Sequence, residues 1–292
     1  MILTPDEQAM LAGAHGRATQ KAMQILVALG TIYHAPRLIT VTSVQIAGVS
    51  YDNLGEAGLQ FLAEMADGGG QARVKATLNP AGMDIENWPA LGILSDFAEK
   101  QMLVIDAFAR MGVETSCTCT PYLIGNLPAY GDHIAWSESS AVCYANAVLA
   151  ARSNREGGPS ALAAALTGRT PEYGLHLEEN RCPGLTVNVT ARLQENTDFG
   201  ALGKAIGEKV QATKIIPYIT GIDSASLEQL KSFCASLATY GGAALFHIPG
   251  LTPEASLYQP PAESLTITQA NLDDANRSLS DATEAEVDFV SL

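Results

Sequence analysis

Two cysteines separated by one residue, Cys117 and Cys119, carry the first chemistry that this sequence offers. Alternate residues of an extended chain face the same way, and thiolates are the ligands that soft iron and zinc centres select. Free cysteines are also often small buried hydrophobic residues, and spacing alone favours that second interpretation. The sequence has no CxxC, HExxH or GxSxG motif, so it does not support a zinc or serine hydrolase.

A glutamate among serines follows, in segment 137–140, just before an apolar helical stretch. Glu138 could act as a general acid or base, or orient a substrate hydroxyl, with Ser139 beside it. The same segment could be only a helix N-terminus, where an acidic residue interacts well with the helix dipole. The sequence leaves both interpretations open. His133 is better explained as structural, and a cysteine hydrolase that pairs it with Cys119 lacks an orienting third group.

Segment 152–159, RSNREGGP, brings Arg155 close to a pair of glycines. Arginine offers a planar, bidentate clamp for carboxylate or phosphate, and glycines allow a ligand to approach the backbone closely. The alternative is ordinary charge at the end of a helix, followed by a glycine terminator at Gly157. Both interpretations stay open.

The elements that must position these residues alternate between strand and helix. Strands are predicted at 38–43, 73–77 and 113–117, and helices near 51–65 and at 94–109. This order indicates an α/β fold whose sheet is largely parallel, with helices on its faces. Ligands bind beyond the carboxyl ends of such strands, which singles out segments 44–53, 78–84 and 117–126.

The flanking regions have their own signals. Thr4, Pro5 and Glu7 suit the start of a first helix, whose apolar stripe continues to Gly30. Beyond residue 159 we predict helices at 161–166, 197–211, 226–240 and from about 268, and strands at 185–193, 215–220 and 243–248. The strand at 185–193 could be antiparallel, and the proline-containing loop 249–261 has the composition of a linker. Glycines 200, 203 and 207 are explained by helix packing and not by nucleotide binding.

We place a domain boundary near residue 170, which gives domains 1–170 and 171–292. The chain ends in EAEVDFVSL, which resembles a strand just starting, so we expect the second domain to be incomplete at its C-terminus. Seventeen basic against thirty-one acidic residues give a net charge of −14, which disfavours nucleic acid and anionic membranes as partners. No apolar segment is long enough to span a bilayer, and we expect a cytoplasmic protein whose five cysteines are free thiols or metal ligands.

Several long motifs resemble the large subunit of the aconitase X family. They are CTCTPYLIGNLPAYGDHIAWSESS with its continuation to NREGGPSA, SVQIAGVSYDNLGEAGLQFL, TLNPAGMD and HLEENR, and the similarity runs along essentially the whole chain. The resemblance implies layered α/β/α domains, largely parallel with some antiparallel strands, and hydro-lyase activity. One branch of the family dehydrates mevalonate 5-phosphate in a modified mevalonate pathway of isoprenoid biosynthesis, and GVSYDNLG followed by NPAGMD resembles that branch more. The alternative branch dehydrates cis-3-hydroxy-L-proline.

The resemblance also implies an iron–sulfur cluster or iron centre, with Cys119 as a ligand, Cys117 as the second candidate, and further cysteine ligands beyond residue 292. A small swivelling domain, in a second subunit or a fused C-terminal region, would supply a catalytic serine. Glu138 and Ser139 are the predicted catalytic residues. The predicted substrate-binding residues are Ser50, Tyr51, Asn53, Asn79, Ser137, Asn154 and Arg155. A non-catalytic or truncated α/β subunit that binds a partner is the alternative of another class.

Overall fold

The computed structural model describes residues 1–211 and 215–280, which form two compact units. The first is Met1–Arg181 and the second begins at Cys182. The sequence places a boundary near residue 170, whereas residues 169–171 form a strand of the first unit. The strand-like ending predicted around residues 287–290 lies outside the described residues. In the described part of the chain, no helix is both long and apolar enough to cross a membrane.

The first unit opens with two helices, where the apolar stripe predicted one. Helix α1 is Pro5–Leu11 and α2 is Arg17–Ile32. The predicted capping box at the start of α1 is confirmed, with Thr4 and Glu7 each bonding the other's backbone. The helix breaks because Gly13 and Gly16 adopt φ angles of +90° and +92°, which lie in the region that favours glycine.

A parallel sheet forms the centre of the first unit and confirms the predicted α/β architecture. Its strands β2 (Ser43–Ile46), β3 (Lys75–Leu78) and β4 (Ala135–Trp136) lie in the order β3-β2-β4. Single parallel bridges at Glu114 and Arg152 extend the two edges. The strand predicted at 113–117 contributes only that first bridge. The strand predicted at 38–43 is divided, since β1 (Leu38–Thr40) pairs antiparallel with β5 (Arg169–Pro171) and β2 begins at Ser43.

The two faces of this sheet are covered differently. Val44 and Ile46 face the hydrophobic core, which is built with helices α3 (Tyr51–Asp67), α4 (Ser95–Arg110) and α6 (Gly158–Thr167). The alternate residues Gln45 and Thr77 face the other way. On that side Asn126, from the irregular segment 117–131, donates a hydrogen bond to the Thr77 hydroxyl. The polar face therefore lies under the segment that carries both cysteines of interest.

The second unit has its own parallel sheet, in the order β7-β6-β8. The strands are β6 (Leu185–Val189), β7 (Pro217–Thr220) and β8 (Ser264–Ile267), and the helices are α7 (Asn196–Val210), α8 (Leu227–Gly241) and α9 (Gln269–Leu279). The suggestion that segment 185–193 is antiparallel is wrong, because a helix follows β6 and β7 and returns the chain to a parallel start. Loop 249–261 leads into β8 of the same sheet, so it is not a linker between domains.

Helices α7 and α8 pack closely through glycines, as predicted. A Cβ atom at Gly203 would lie 2.7 Å from the Phe233 carbonyl oxygen, and one at Gly207 would lie 2.8 Å from the backbone nitrogen of Gly241. At Gly200 the nearest atom would be the Ser232 hydroxyl oxygen, 3.0 Å away. Backbone-to-backbone contact at two of the three positions leaves no room for a side chain.

Candidate functional site

The segments that follow β3, the Glu114 bridge and β4 meet at one edge of the sheet, around the buried side chain of Gln45 on β2. Its Nε2 donates to Asn79 Oδ1 at 3.2 Å and to the Thr118 carbonyl oxygen at 3.3 Å. Its Oε1 accepts from the Glu138 backbone N–H at 3.0 Å. One carboxamide therefore joins the three segments in which the sequence predicts substrate-binding, metal-binding and catalytic residues.

A second buried carboxamide, that of Gln101 on α4, joins the remaining loops. Its Oε1 accepts from the backbone N–H groups of Tyr51 and Gly82 at 3.0 and 3.2 Å, and its Nε2 donates to the Val49 carbonyl at 2.9 Å. A Cβ atom at Gly82 would lie 2.3 Å from the Ser50 hydroxyl oxygen, so these two loops touch. Segment 47–53, which ends in the first turn of α3, and loop 79–82 thus form one wall of the candidate site.

Neither glutamine is predicted as a site residue from the sequence. Each stands in an otherwise apolar pattern, Gln45 within the strand SVQI and Gln101 on the buried stripe of α4. A polar residue in a buried stripe needs hydrogen-bond partners. A glutamine in a buried stripe is therefore a sequence signal for a hydrogen-bonded cluster, although it does not identify the partners.

The two cysteines have different surroundings, contrary to the expectation for an extended chain. Cys117 has a φ angle of +47°, which turns the chain, and its half-buried side chain packs against the hydrophobic core. Burial raises the pKa of the Cys117 thiol, and a hydrogen bond with the Ala81 backbone partly offsets this effect. Cys119 is exposed. In the part of the chain that the structure describes, no group of three or more His, Cys, Asp or Glu residues could hold a metal ion.

Glu138 caps helix α5 (Ser139–Ala147). Its Oε2 accepts from the Ala141 N–H and the Ser140 hydroxyl, both at 2.6 Å, and its Oε1 accepts from the Ser139 hydroxyl at 3.2 Å. The interpretation of this segment as a helix N-terminus is therefore confirmed. The catalytic role of Glu138 stays a prediction. The neighbouring Ser137 hydroxyl is buried and has no hydrogen-bond partner among the described residues.

Arg155 and Asn154 lie on a segment that runs beside β4. The Glu156 N–H donates to the Trp136 carbonyl at 2.9 Å, which brings this segment to the same edge of the sheet. Arg155 is exposed and forms no ion pair with any described residue. The Asn154 carboxamide is engaged, because it donates to the Tyr173 carbonyl at 3.0 Å and accepts from the Leu175 N–H at 2.9 Å.

The glycine pair that follows starts a helix and does not end one. Gly157 is the N-cap of α6, so the interpretation of this residue as a helix terminator is wrong. A Cβ atom at Gly158 would lie 2.7 Å from the Ala47 carbonyl oxygen, whereas the nearest atom to one at Gly157 is 3.8 Å away. Beside this contact lies a largely apolar cavity of about 140 Å³, which Asn53 also lines. The close approach is therefore between α6 and the end of β2.

Two buried ionisable groups lie outside this cluster. The Glu156 carboxyl accepts from the hydroxyls of Ser160 and Thr170 at 2.6 and 3.4 Å, and burial raises its pKa. His133 precedes β4, at the opposite edge of the sheet from Cys119, with its Nδ1 3.1 Å from Nδ1 of His176. The structure therefore does not bring together the pair that a cysteine hydrolase would need. Burial lowers the pKa of His176 to about 3.

Comparison with known families decides which proteins this arrangement belongs with. The model of the aconitase X first domain matches residues 1–179, and that of the second domain matches residues 183–277. The chain belongs to the aconitase X family. A crystal structure of Thermococcus kodakaraensis aconitase X in a holo-form has a similar fold, with a TM-score of 0.88 and 45% sequence identity over 96% of this chain and 70% of that one.

Named relatives of this aconitase X chain fall into two groups. The phosphomevalonate dehydratase large subunit of Methanothermobacter thermautotrophicus is 46% identical over 100% of this chain and 73% of its own length. That of Methanosarcina mazei is 47% identical over 95% of this chain and 69% of its own length. The cis-3-hydroxy-L-proline dehydratase of Hypocrea jecorina is 35% identical over 99% of this chain and 50% of its own length.

Proposed function

We propose that this chain is the large subunit of a hydro-lyase that removes water from mevalonate 5-phosphate to give the anhydro product. The observation that carries the proposal is the difference in identity between the two groups of relatives. Identity is 45–48% to four phosphomevalonate dehydratase large subunits and 37% to a fifth, against 35% and 34% to two cis-3-hydroxy-L-proline dehydratases. The large-subunit names of the relatives support a small subunit as its partner.

The reaction sets two requirements for the site. A poorly acidic proton next to the carboxylate must be removed, and hydroxide, a poor leaving group, must depart. We assign the acid–base work to Glu138 and Ser139, which share a hydrogen bond of 3.2 Å along which a proton can be exchanged. Oε1 of Glu138 is the oxygen assigned to the substrate proton, because Oε2 already accepts from both Ser140 and Ala141.

The exposed thiol of Cys119 fits the role of one metal ligand. Thiolates select iron and zinc, and the neighbouring Cys117 thiol is turned into the protein. An iron ion or iron–sulfur cluster bound there would supply a Lewis acid for the departing hydroxyl. Because the described residues contain no set of three ligands, the other ligands would come from outside them.

The substrate phosphate has two candidate contacts at this edge. Arg155 is exposed, and a guanidinium can bind phosphate through two N–H groups. The start of α3 is the other candidate, since the Ser50 hydroxyl at its N-cap makes no capping bond. Arg155→Ala should raise KM for mevalonate 5-phosphate by about tenfold or more, the range for a lost hydrogen bond to a charged group. Arg17→Ala, at another exposed arginine of this unit, is the control and should leave KM unchanged.

The test of this function compares two substrates. The protein, purified anaerobically with its small subunit, should convert mevalonate 5-phosphate with a kcat/KM at least a hundredfold above that for cis-3-hydroxy-L-proline. A preference for the hydroxyproline would assign the chain to the other branch. Turnover of neither substrate, with the small subunit bound, would support the alternative of a non-catalytic subunit.

A further inference from the structure

We propose that Gln45 is a positioning residue of this site, whose carboxamide fixes the Cys119 loop, Asn79 and the start of α5 against one another. The side chain is fully buried, at 0% exposure, and is not placed to touch substrate. Nε2 donates one hydrogen to Asn79 Oδ1 and the other to the Thr118 carbonyl, and Oε1 accepts from the Glu138 N–H. The inference rests on the proposed function only for the effect on turnover.

The orientation of this carboxamide is imposed by two backbone groups. The Glu138 N–H can only donate, so it must face Oε1, and the Thr118 carbonyl can only accept, so it must face Nε2. Asn79 must then turn its Oδ1 towards Gln45, which directs its own amide nitrogen elsewhere. One buried side chain therefore sets the orientation of a predicted substrate-binding amide as well as two loops.

Only a carboxamide of this length meets both demands. A glutamate at position 45 would keep an acceptor for the Glu138 N–H but would lose the donors to Asn79 and Thr118. A methionine has nearly the same shape but no amide group. Asn79, the Thr118 carbonyl and the Glu138 N–H would therefore each lose their hydrogen bond to residue 45. Loss of one partner from a buried hydrogen bond is costly, and the freed loops would relax to satisfy their polar groups elsewhere.

Ser43 provides a control on the same strand. It is buried at 5% exposure, and its Oγ accepts from the Trp136 indole N–H at 3.0 Å. It therefore makes a buried polar bond between strands β2 and β4 and not to the site loops. Ser43→Ala leaves the buried indole N–H without this acceptor and should lower global stability as Gln45→Met does, without moving the site.

The first experiment measures alkylation of Cys117 by N-ethylmaleimide, resolved by peptide mass spectrometry, and needs no substrate or metal. Cys117 is half-buried and adjacent to Thr118, so its labelling reports opening of that loop. Gln45→Met should raise the labelling rate at least tenfold and Ser43→Ala less than twofold. Gln45→Glu should also raise it, while the Glu138 amide stays protected from hydrogen exchange because its acceptor is kept. Equal rates in Gln45→Met and Ser43→Ala would overturn the proposal.

The second experiment measures turnover of mevalonate 5-phosphate by the same variants in the complex with the small subunit. Gln45→Met should lower kcat at least tenfold per folded molecule, and Ser43→Ala should lower it less than twofold. An unchanged kcat in Gln45→Met would remove Gln45 from the machinery of the site. If the wild-type complex turned over neither substrate, the proposed function would fail, and the labelling rates would still decide whether Gln45 fixes the loops.

Discussion

The two adjacent glycines of the NREGGP motif should respond differently to the same substitution. A Cβ atom at Gly158 would lie 2.7 Å from the Ala47 carbonyl oxygen, so α6 and the end of β2 must separate by about 0.7 Å to reach an ordinary contact of 3.4 Å. Forcing extra atoms into a packed position costs about 1–3 kcal/mol. At Gly157 the added atom meets nothing closer than 3.8 Å.

Both variants gain the same benefit in the unfolded chain, about 0.4–1 kcal/mol, because alanine restricts it more than glycine does. That benefit cancels when the two variants are compared, so their difference reports the contact, less a smaller loss at Gly157, where alanine is a poorer N-cap than glycine. We expect Gly158→Ala to be less stable than Gly157→Ala by up to about 1–3 kcal/mol, with Gly157→Ala close to wild type because the two small effects at that position offset each other. Urea unfolding of the three proteins measures this difference. Equal midpoints for the two variants would refute the contact, and would reopen the interpretation that the glycines admit a ligand.

Burial, helix packing and thiol exposure give three more predictions. Because burial raises the pKa of Glu156, wild type loses up to about 1.4 kcal/mol of stability per pH unit above the ordinary glutamate range, up to the raised pKa. Glu156→Gln should remove that loss. If the substitution changed the free energy of unfolding in urea equally at about pH 5 and pH 8, the prediction would be wrong. Gly203→Ala should destabilise the second unit by about 1–3 kcal/mol, and Gly200→Ala should be neutral or stabilise it by up to about 1 kcal/mol, also by urea unfolding. In the metal-free chain, N-ethylmaleimide should modify Cys119 at least about tenfold faster than Cys117, whose raised pKa lowers its thiolate fraction.

Alternation of strand and helix in the sequence was enough to predict a parallel sheet and the edge at which the candidate site residues lie. Helix starts were also predictable where a capping motif marks them, at Thr4 and Ser226. The direction of β6 was not, because a short apolar strand looks the same in either orientation. The break between α1 and α2 was missed because the apolar stripe continues across two glycines whose φ angles only the structure reveals.

The composition of the candidate site was harder to predict than its place. Asn79, Thr118 and Glu138 are separated by up to 59 positions in the chain, and the residue that joins them, Gln45, carries no motif of its own. A glutamine in a buried strand indicates that hydrogen-bond partners are present, but the long-range topology of the chain determines which residues they are. Glu138 illustrates a different limit, since a helix cap and a catalytic acid have the same sequence signature.

Hydrogen exchange of the complex with its small subunit, with and without mevalonate 5-phosphate, tests the central claim most directly. The claim is that the loops tied together by Gln45 and Gln101 form the substrate site. Saturating mevalonate 5-phosphate should protect segments 47–53, 79–82, 117–120 and 137–140 together, and cis-3-hydroxy-L-proline at the same concentration should not. Protection confined to other segments, while the complex still turns over mevalonate 5-phosphate, would contradict the account.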